Sequence, residues 1–395
     1  MSEEAVETEA SFRDPQGAGR WRSEPFRIFF PLGVVIAWLG IGHWLLYATG
    51  VTTSYSCQGH GLVQVEAFLM AFAVGFLLTA LPRRTQGPPP SSVEITAAAV
   101  LLIANAALLA TGHRVAAQAP YVLLFVLLLQ FALRRFSRRA AGRRPPAAFV
   151  LIPIGVLHGL SGAALVASAA ELHSRPWMLL LGPLFVQQGV FLCFTLGVGS
   201  LVLPLMSGAP PPADLGSSPR ENAKALAYGA AGFAFLSSFV LEAAGWTRGG
   251  PLLRASVDAL GMAMAGAWRP PAKPGLHRQL AWASVWAMPI GLAASGLFPD
   301  YRVAALHILF IGGFGLLAFS VATHVSLTHL GLERIAAGRP LAVVTLAVCF
   351  GLALAARVAA DMSHTYFDHL GWAAACWILG SAVWLGFLGP RLLRS

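Results

Sequence analysis

A chain of 395 residues with 56% hydrophobic and only 11% charged residues, and a mean hydropathy of +0.67, has too little polar surface for a water-soluble globule of its size. The net charge of +10 does not call for a nucleic-acid partner, because arginines in the cytoplasmic loops of a membrane protein orient the chain and lie against anionic lipid headgroups. Four cysteines, of which Cys193, Cys349 and Cys376 fall in apolar runs, exclude a disulfide framework.

The composition predicts an all-α polytopic membrane protein embedded in a lipid bilayer. Residues 1–25 are polar, mixed in charge and without the apolar core of a signal peptide, and are expected to form a disordered cytoplasmic tail. Residues 26–390 are expected to form a single twelve-helix transmembrane domain. Crossing roughly 30 Å of hydrocarbon takes about 17–25 apolar residues at about 1.5 Å each. Such runs fall at Ile28–Gly50, His60–Pro82, Val93–Gly112, Ala119–Leu133, Ala147–Ala170 and Trp177–Met206. They continue at Ala225–Gly245, Leu252–Trp268, Leu280–Phe298, Val303–Thr328, Leu341–Ala360 and His369–Leu388. The eighth is the most polar: Arg254 and Asp258 stand four residues apart on one helical face, the spacing of an intrahelical ion pair or a polar lining.

Loop charge alternates along these spans. Twenty-one of the 27 Lys and Arg residues fall on the side of the N-terminus, the rest being Arg114, Arg175, Arg248, Arg254, Arg302 and Arg357. That bias is expected to place both termini in the cytoplasm. The spans also hint at three four-helix repeats. Phe72, Gly75, Leu81 and Pro82 in the second span have the spacing of Phe194, Gly197, Leu203 and Pro204 in the sixth, and the tenth opens with His307 and a small-residue stretch, IGGFG. Repeats in membrane proteins commonly place the functional site at their interface.

Eleven histidines are present, and ionisable side chains within spans normally face the bundle interior and pair with something. His60 and His307 stand at the heads of the second and tenth spans, on the same non-cytoplasmic side. His307 follows Arg302 by five residues, about 8 Å of helix rise. His43 lies two turns from the outer end of the first span and His158 near mid-membrane, so His43, His60, His307 and His158 form an outer group. His324 is seventeen residues beyond His307, about 25 Å away, and belongs with His329 to an inner group. Gln64 shares a helical face with His60, as a residue orienting a ligand ring would, and Gly59 and Gly61 leave room for a flat macrocycle. The residues alone equally admit a helix-start histidine bonded to a loop carbonyl. Arg302, Arg114, Arg175 and Arg248 in outer loops suit heme propionates or are plain loop arginines. Cys57 has no second cysteine to make a covalent heme attachment with His60. Arg357 and Asp361, four apart, read as a helix-end pair.

The segments GHGLVQVEAFLMAFAVGFLLTALPRRT (59–85), ALHILFIGGFGLLAFSVATHVSLTHLG (305–331) and FRIFFPLG (26–33) resemble the NnrS family of heme- and copper-containing membrane proteins, over essentially the whole chain. The resemblance implies a heme of b type with His60 and His307 as its ligands, copper as a second metal, and nitric oxide handling or relief of nitrosative stress, with an unidentified redox partner. Gln64 and Arg302 join the cofactor-binding candidates, and His43, His158 and His329 the metal-binding ones, His329 as a family-matching residue of unassigned role. Many family members carry His-x-His-Glu-Met early in the second span, whereas this chain has Leu62 and Val63 where the second His and the Glu would fall. A more distant likeness is to heme-copper oxidase main subunits, but Gln187, Gln188, Ser237, Ser238 and Glu242 stand where copper-binding histidines would be expected. The alternative function is a membrane transporter or handling factor for heme or copper, with the histidines as transient stations.

Overall fold

The computed structural model describes residues 19–137, 144–169 and 175–394. Twelve long helices follow one another: α1 Phe26–Ala48, α2 Cys57–Thr85, α3 Ser92–Ala110, α4 Arg114–Ser137, α5 Ala147–Ala167 and α6 Pro176–Ser207. Then come α7 Pro219–Ala243, α8 Gly249–Met264, α9 Leu276–Leu297, α10 Pro299–His329, α11 Leu341–Ala360 and α12 Tyr366–Arg394. Among the described residues the one extended pairing is an isolated bridge between Pro146 and Asp214. Among the described residues, eleven helices are long and apolar enough to cross a membrane. The molecule is a polytopic helical membrane protein.

The exception is α8, where the eighth span was expected. It has 16 residues, about 24 Å of rise, and packs between α7 and α9. It begins at Gly249-Gly250-Pro251, and just beyond its end Gly266 adopts a positive φ of +77°, a conformation that favours glycine. Arg254 and Asp258 are both fully buried, but they do not pair as their spacing suggested: Arg254 turns to α7 and α6 instead.

Local chemistry sets several helix ends. Ser91 and Glu94 form a reciprocal capping box at the start of α3, with bonds of 3.1 and 2.7 Å, and the Ser56 hydroxyl accepts the Gly59 N–H at 3.0 Å to start α2. The guanidinium of Arg27 donates to the Leu392 carbonyl at 2.6 Å, so α1 begins where α12 ends and both termini of the bundle share one face. Of the segment 1–25 expected as a tail, residues 1–18 lie outside the described residues. Arg20–Ser23 is a short helix, and Glu24 is ion-paired with Arg27 (2.5 Å) and Arg83 (3.6 Å) and hydrogen-bonded to His329 (3.0 Å). Burial of that carboxyl raises its pKa, but hydrogen bonds from His329 and Arg27 outweigh burial and hold it at about 2.

The internal repeat appears in the packing. Phe72 of α2 lies over Gly33 of α1, and at the same separation in sequence Phe194 of α6 lies over Gly155 of α5. Gly75 abuts Phe29 and Phe30 as Gly197 abuts Leu151 and Ile152, and Gly40 abuts Val63 and Gln64 as Gly162 abuts Phe185 and Val186. In the third pair, Gly291 of α9 meets Ile308 and Leu309 of α10. Helices in lipid associate through such small-residue contacts, because burial of apolar surface gives no advantage there. Between α2, α10 and α12 an aromatic core of Phe72, Phe319, Trp377 and Trp384 closes the bundle, with Trp384 donating to the Thr323 hydroxyl at 2.8 Å.

Candidate cofactor site

Three helices contain a π-turn, at corresponding places in the three repeats: Val63–Leu69 in α2, Phe185–Gly189 in α6 and Ile308–Gly315 in α10. A π-turn adds a residue to the helical turn, re-aims the side chains around it and recurs at functional sites. His60 lies three residues before the first of these turns and His307 directly before the third.

Both histidines line one cavity of about 270 Å3, together with Gln64, Gln187, Arg302 and Arg357. The Nδ1 of His60 donates to the Gly40 carbonyl at 2.8 Å, and that of His307 to the Val303 carbonyl at 2.7 Å. Each ring is thereby fixed in one tautomer, with the lone pair on Nε2, and among the described residues neither Nε2 makes a hydrogen bond. Gly61 faces this space closely enough that a Cβ there would meet the Gln187 side chain at 2.8 Å. The volume is of the order of small-molecule sites, roughly 300 Å3 and upward.

The polar wall is arranged differently from the sequence expectation. Gln64 lines the cavity but donates to the Ala37 carbonyl at 3.1 Å, and the orienting contact to His60 comes from the backbone of Gly40. Arg302 is bound to Glu242 of α7 through two nitrogens, Nε at 2.9 Å and Nη2 closer still. On its other oxygen Glu242 accepts from Arg254 at 2.7 Å, and Arg254 continues to Gln188 at 2.6 Å and Ser238 at 3.2 Å. A buried charge network thus runs from the cavity edge to the π-turn of α6. Arg357 does pair with Asp361, at 2.9 Å, while also lining the cavity. Arg114, Arg175 and Arg248 do not line it.

The remaining histidines separate. His43 stands beside His60, ring centroids 5.9 Å apart, but outside the cavity wall, and its Nε2 is buried without a partner. His158 lies elsewhere, packed on Phe185 and Phe239 with its Nδ1 3.8 Å from the Cys193 sulfur. It does not join the other outer histidines because its helix, α5, packs on α4 and α6 and presents it to the second repeat. His324 meets His277 at 3.2 Å, with the rings stacked, whereas His329 bonds Glu24 and Arg83. Among the described residues no three His, Cys, Asp or Glu side chains are grouped to hold a metal ion.

Sequence reasoning passed over Glu66. It is fully buried in the π-turn of α2 and accepts hydrogen bonds from Asn105 and Gln118. The signal was present, as a lone carboxylate inside a long apolar run.

The fold and cavity define a polytopic helical membrane protein with two oriented imidazoles facing one internal space. The model of the family described as NnrS protein matches residues 20–395, and the chain belongs to the NnrS family. No curated protein matches the chain.

Proposed function

We propose that this protein holds a b-type heme between α2 and α10 through the Nε2 atoms of His60 and His307, and acts in nitric oxide handling or the response to nitrosative stress. The single observation that carries the reading is that two histidines from different helices, each with Nδ1 committed to a backbone carbonyl, line one cavity and leave both Nε2 atoms without partners. That is the donor set an axial pair requires. Membership of the NnrS family supports a nitric-oxide-related heme protein. Heme held by His60 and His307 would supply redox chemistry and affinity for a diatomic ligand such as nitric oxide.

The chain's own residues orient and enclose. Gly40 and Val303 fix the two rings; Arg302 and Arg357 place positive charge at the cavity wall, where carboxylates of a macrocycle are matched by guanidinium groups. Both guanidiniums are already balanced by Glu242 and Asp361, so an incoming carboxylate shares them with these partners. The donor set does not extend to a three-ligand copper centre among the described residues. The loop arginine bias supports a cytoplasmic position for both termini, and the family resemblance a bacterial inner membrane location.

The test is the optical spectrum of the purified protein. A Soret band is expected, lost or shifted in His60→Ala and His307→Ala and retained in His324→Ala. Absence of the band after expression with adequate heme overturns the reading and favours a transport or cofactor-handling role. Equal loss in all three variants overturns the assignment of ligands.

A further inference from the structure

Glu66 is not part of the cavity wall. Its carboxyl meets α3 and α4, where Oε2 accepts from Asn105 Nδ2 at 3.0 Å and from Gln118 Nε2 at 3.3 Å. Both amide groups spend their second hydrogen on the backbone: Asn105 on the Ala117 carbonyl at 2.9 Å, and Gln118 on the Arg114 carbonyl at 3.2 Å. Four oxygens are then left buried with no partner: Glu66 Oε1, Asn105 Oδ1, Gln118 Oε1 and the hydroxyl of Tyr121, one turn beyond Gln118 on α4. All four residues are at least nine-tenths buried, and no Lys, Arg or His side chain bonds to the carboxyl.

Counting donors against acceptors decides the protonation state. With an ionised Glu66, three acceptor oxygens face the single O–H of Tyr121, and an anion sits in the bundle without a counter-charge. With a proton on Glu66 Oε1 the cluster gains an O–H donor beside two unpartnered amide oxygens, those of Asn105 and Gln118, and holds no buried charge, while the Tyr121 hydroxyl is buried in the same group without bonding any of them. The site lies within a turn or so of water. Gln118 is tied to the first residue of α4, and Thr111, Gly112, His113 and Arg114 at the α3–α4 turn are all exposed.

We propose that Glu66, Tyr121, Asn105 and Gln118 form an internal proton-binding site, in which Glu66 is carried as a neutral carboxylic acid that exchanges its proton with the aqueous face at the α3–α4 turn. This goes beyond the heme reading, and its readout needs no bound heme. Infrared spectra of the full-length protein at neutral pH, in H2O and D2O, test it. The wild-type minus Glu66→Gln difference is expected to show a protonated carboxylic C=O band that moves to lower frequency in D2O. Tyr121→Phe, which keeps the ring and removes one O–H, is expected to shift that band. A difference that contains only carboxylate stretches overturns the proposal, as does a carboxylate signal that changes when sodium replaces potassium, which would make the site an alkali-cation site. Should Glu66→Gln fail to fold, a wild-type band that does not move in Tyr121→Phe overturns it.

Discussion

Glu66 in α2 and Gln188 in α6 occupy corresponding positions of two π-turns, six residues before Phe72 and Phe194, yet one has neutral surroundings and the other a charged network. Around Glu66 the partners are neutral amides; around Gln188 the partner is the guanidinium of Arg254, balanced by Glu242, which also binds Arg302 at the cavity edge. The same glycine contacts hold both helix pairs. The position equivalent to His60 is Gly182, packed against Leu165 and Val166. Backbone packing thus repeats while the polar chemistry does not: the repeat places a side chain at a π-turn, and the identity of that side chain decides whether the site binds a ligand, a proton or an internal counter-charge.

The largest expected effect separates the two π-turns. Arg254→Met leaves Gln188 without its donor and Glu242 with Arg302 as its remaining guanidinium, and is expected to cost about 3 kcal/mol, the low end for breaking a buried ion pair from one side. The double variant Arg254→Met/Glu242→Leu removes the buried pair, leaves the partly exposed Arg302 to water, and is expected to recover most of that loss. Glu66→Gln, by contrast, replaces a neutral acid by an amide of the same shape and is expected to cost less than about 1 kcal/mol. Unfolding of the detergent-solubilised protein in increasing SDS measures all three. Similar losses for Arg254→Met and Glu66→Gln would erase the distinction.

The glycine contacts sharpen it from the packing side. At Gly162 an added methyl meets Val186 at 2.8 Å and the Gly182 carbonyl at 3.0 Å, and the backbone cannot move aside as a side chain can. Gly162→Ala should therefore cost about 1–3 kcal/mol. At Gly40 the methyl meets Val63 at 2.7 Å and the end of Gln64, which has room to yield, so Gly40→Ala is expected to cost less stability. It acts instead on the carbonyl that orients His60, so the optical spectrum rather than the SDS midpoint should change. Gly42→Ala, with nothing within 4 Å, should change neither.

These contrasts also mark what the chain discloses by itself. Apolar run length gave the helices and their order, and the weakness of the eighth run, set by Arg254 and Asp258, foreshadowed a helix of only 16 residues. Rise per residue separated His307 from His324, and the two do lie at different ends of the bundle, His307 on the cavity and His324 against His277. Spacing failed where the partner sits on another helix. Arg254 and Asp258 are correctly spaced to pair, but Glu242 on α7 takes the guanidinium. Gln64 is four residues from His60, but the π-turn starting at Val63 changes the helical register, and its amide reaches Ala37 on α1. His158, grouped with the cavity histidines by its place in the sequence, points elsewhere, since helix rotation is set by contacts such as Gly189 against its ring.

A pH-dependent effect tests whether the face shared by the termini is built as Arg254 is, by balanced charge, or as Glu66 is. Glu24 bonds His329 and Arg27 there, and although burial alone would raise its pKa, these partners lower it from 4.5 to about 2. A carboxyl depressed by folding adds stability that is fully present above its unfolded value and is lost as pH falls through the folded one. The contribution should therefore fade between pH 4.5 and about 2 and be constant above that window. At a partly hydrated bundle face it is expected to be on the order of 1–2 kcal/mol. Glu24→Gln removes it, so the gap between wild type and variant in unfolding midpoint should be constant near neutral pH and narrow toward the acid end. A gap that persists unchanged to pH 2 would mean that Glu24 acts through shape and hydrogen bonding, not charge, and would move this face to the neutral side of the comparison.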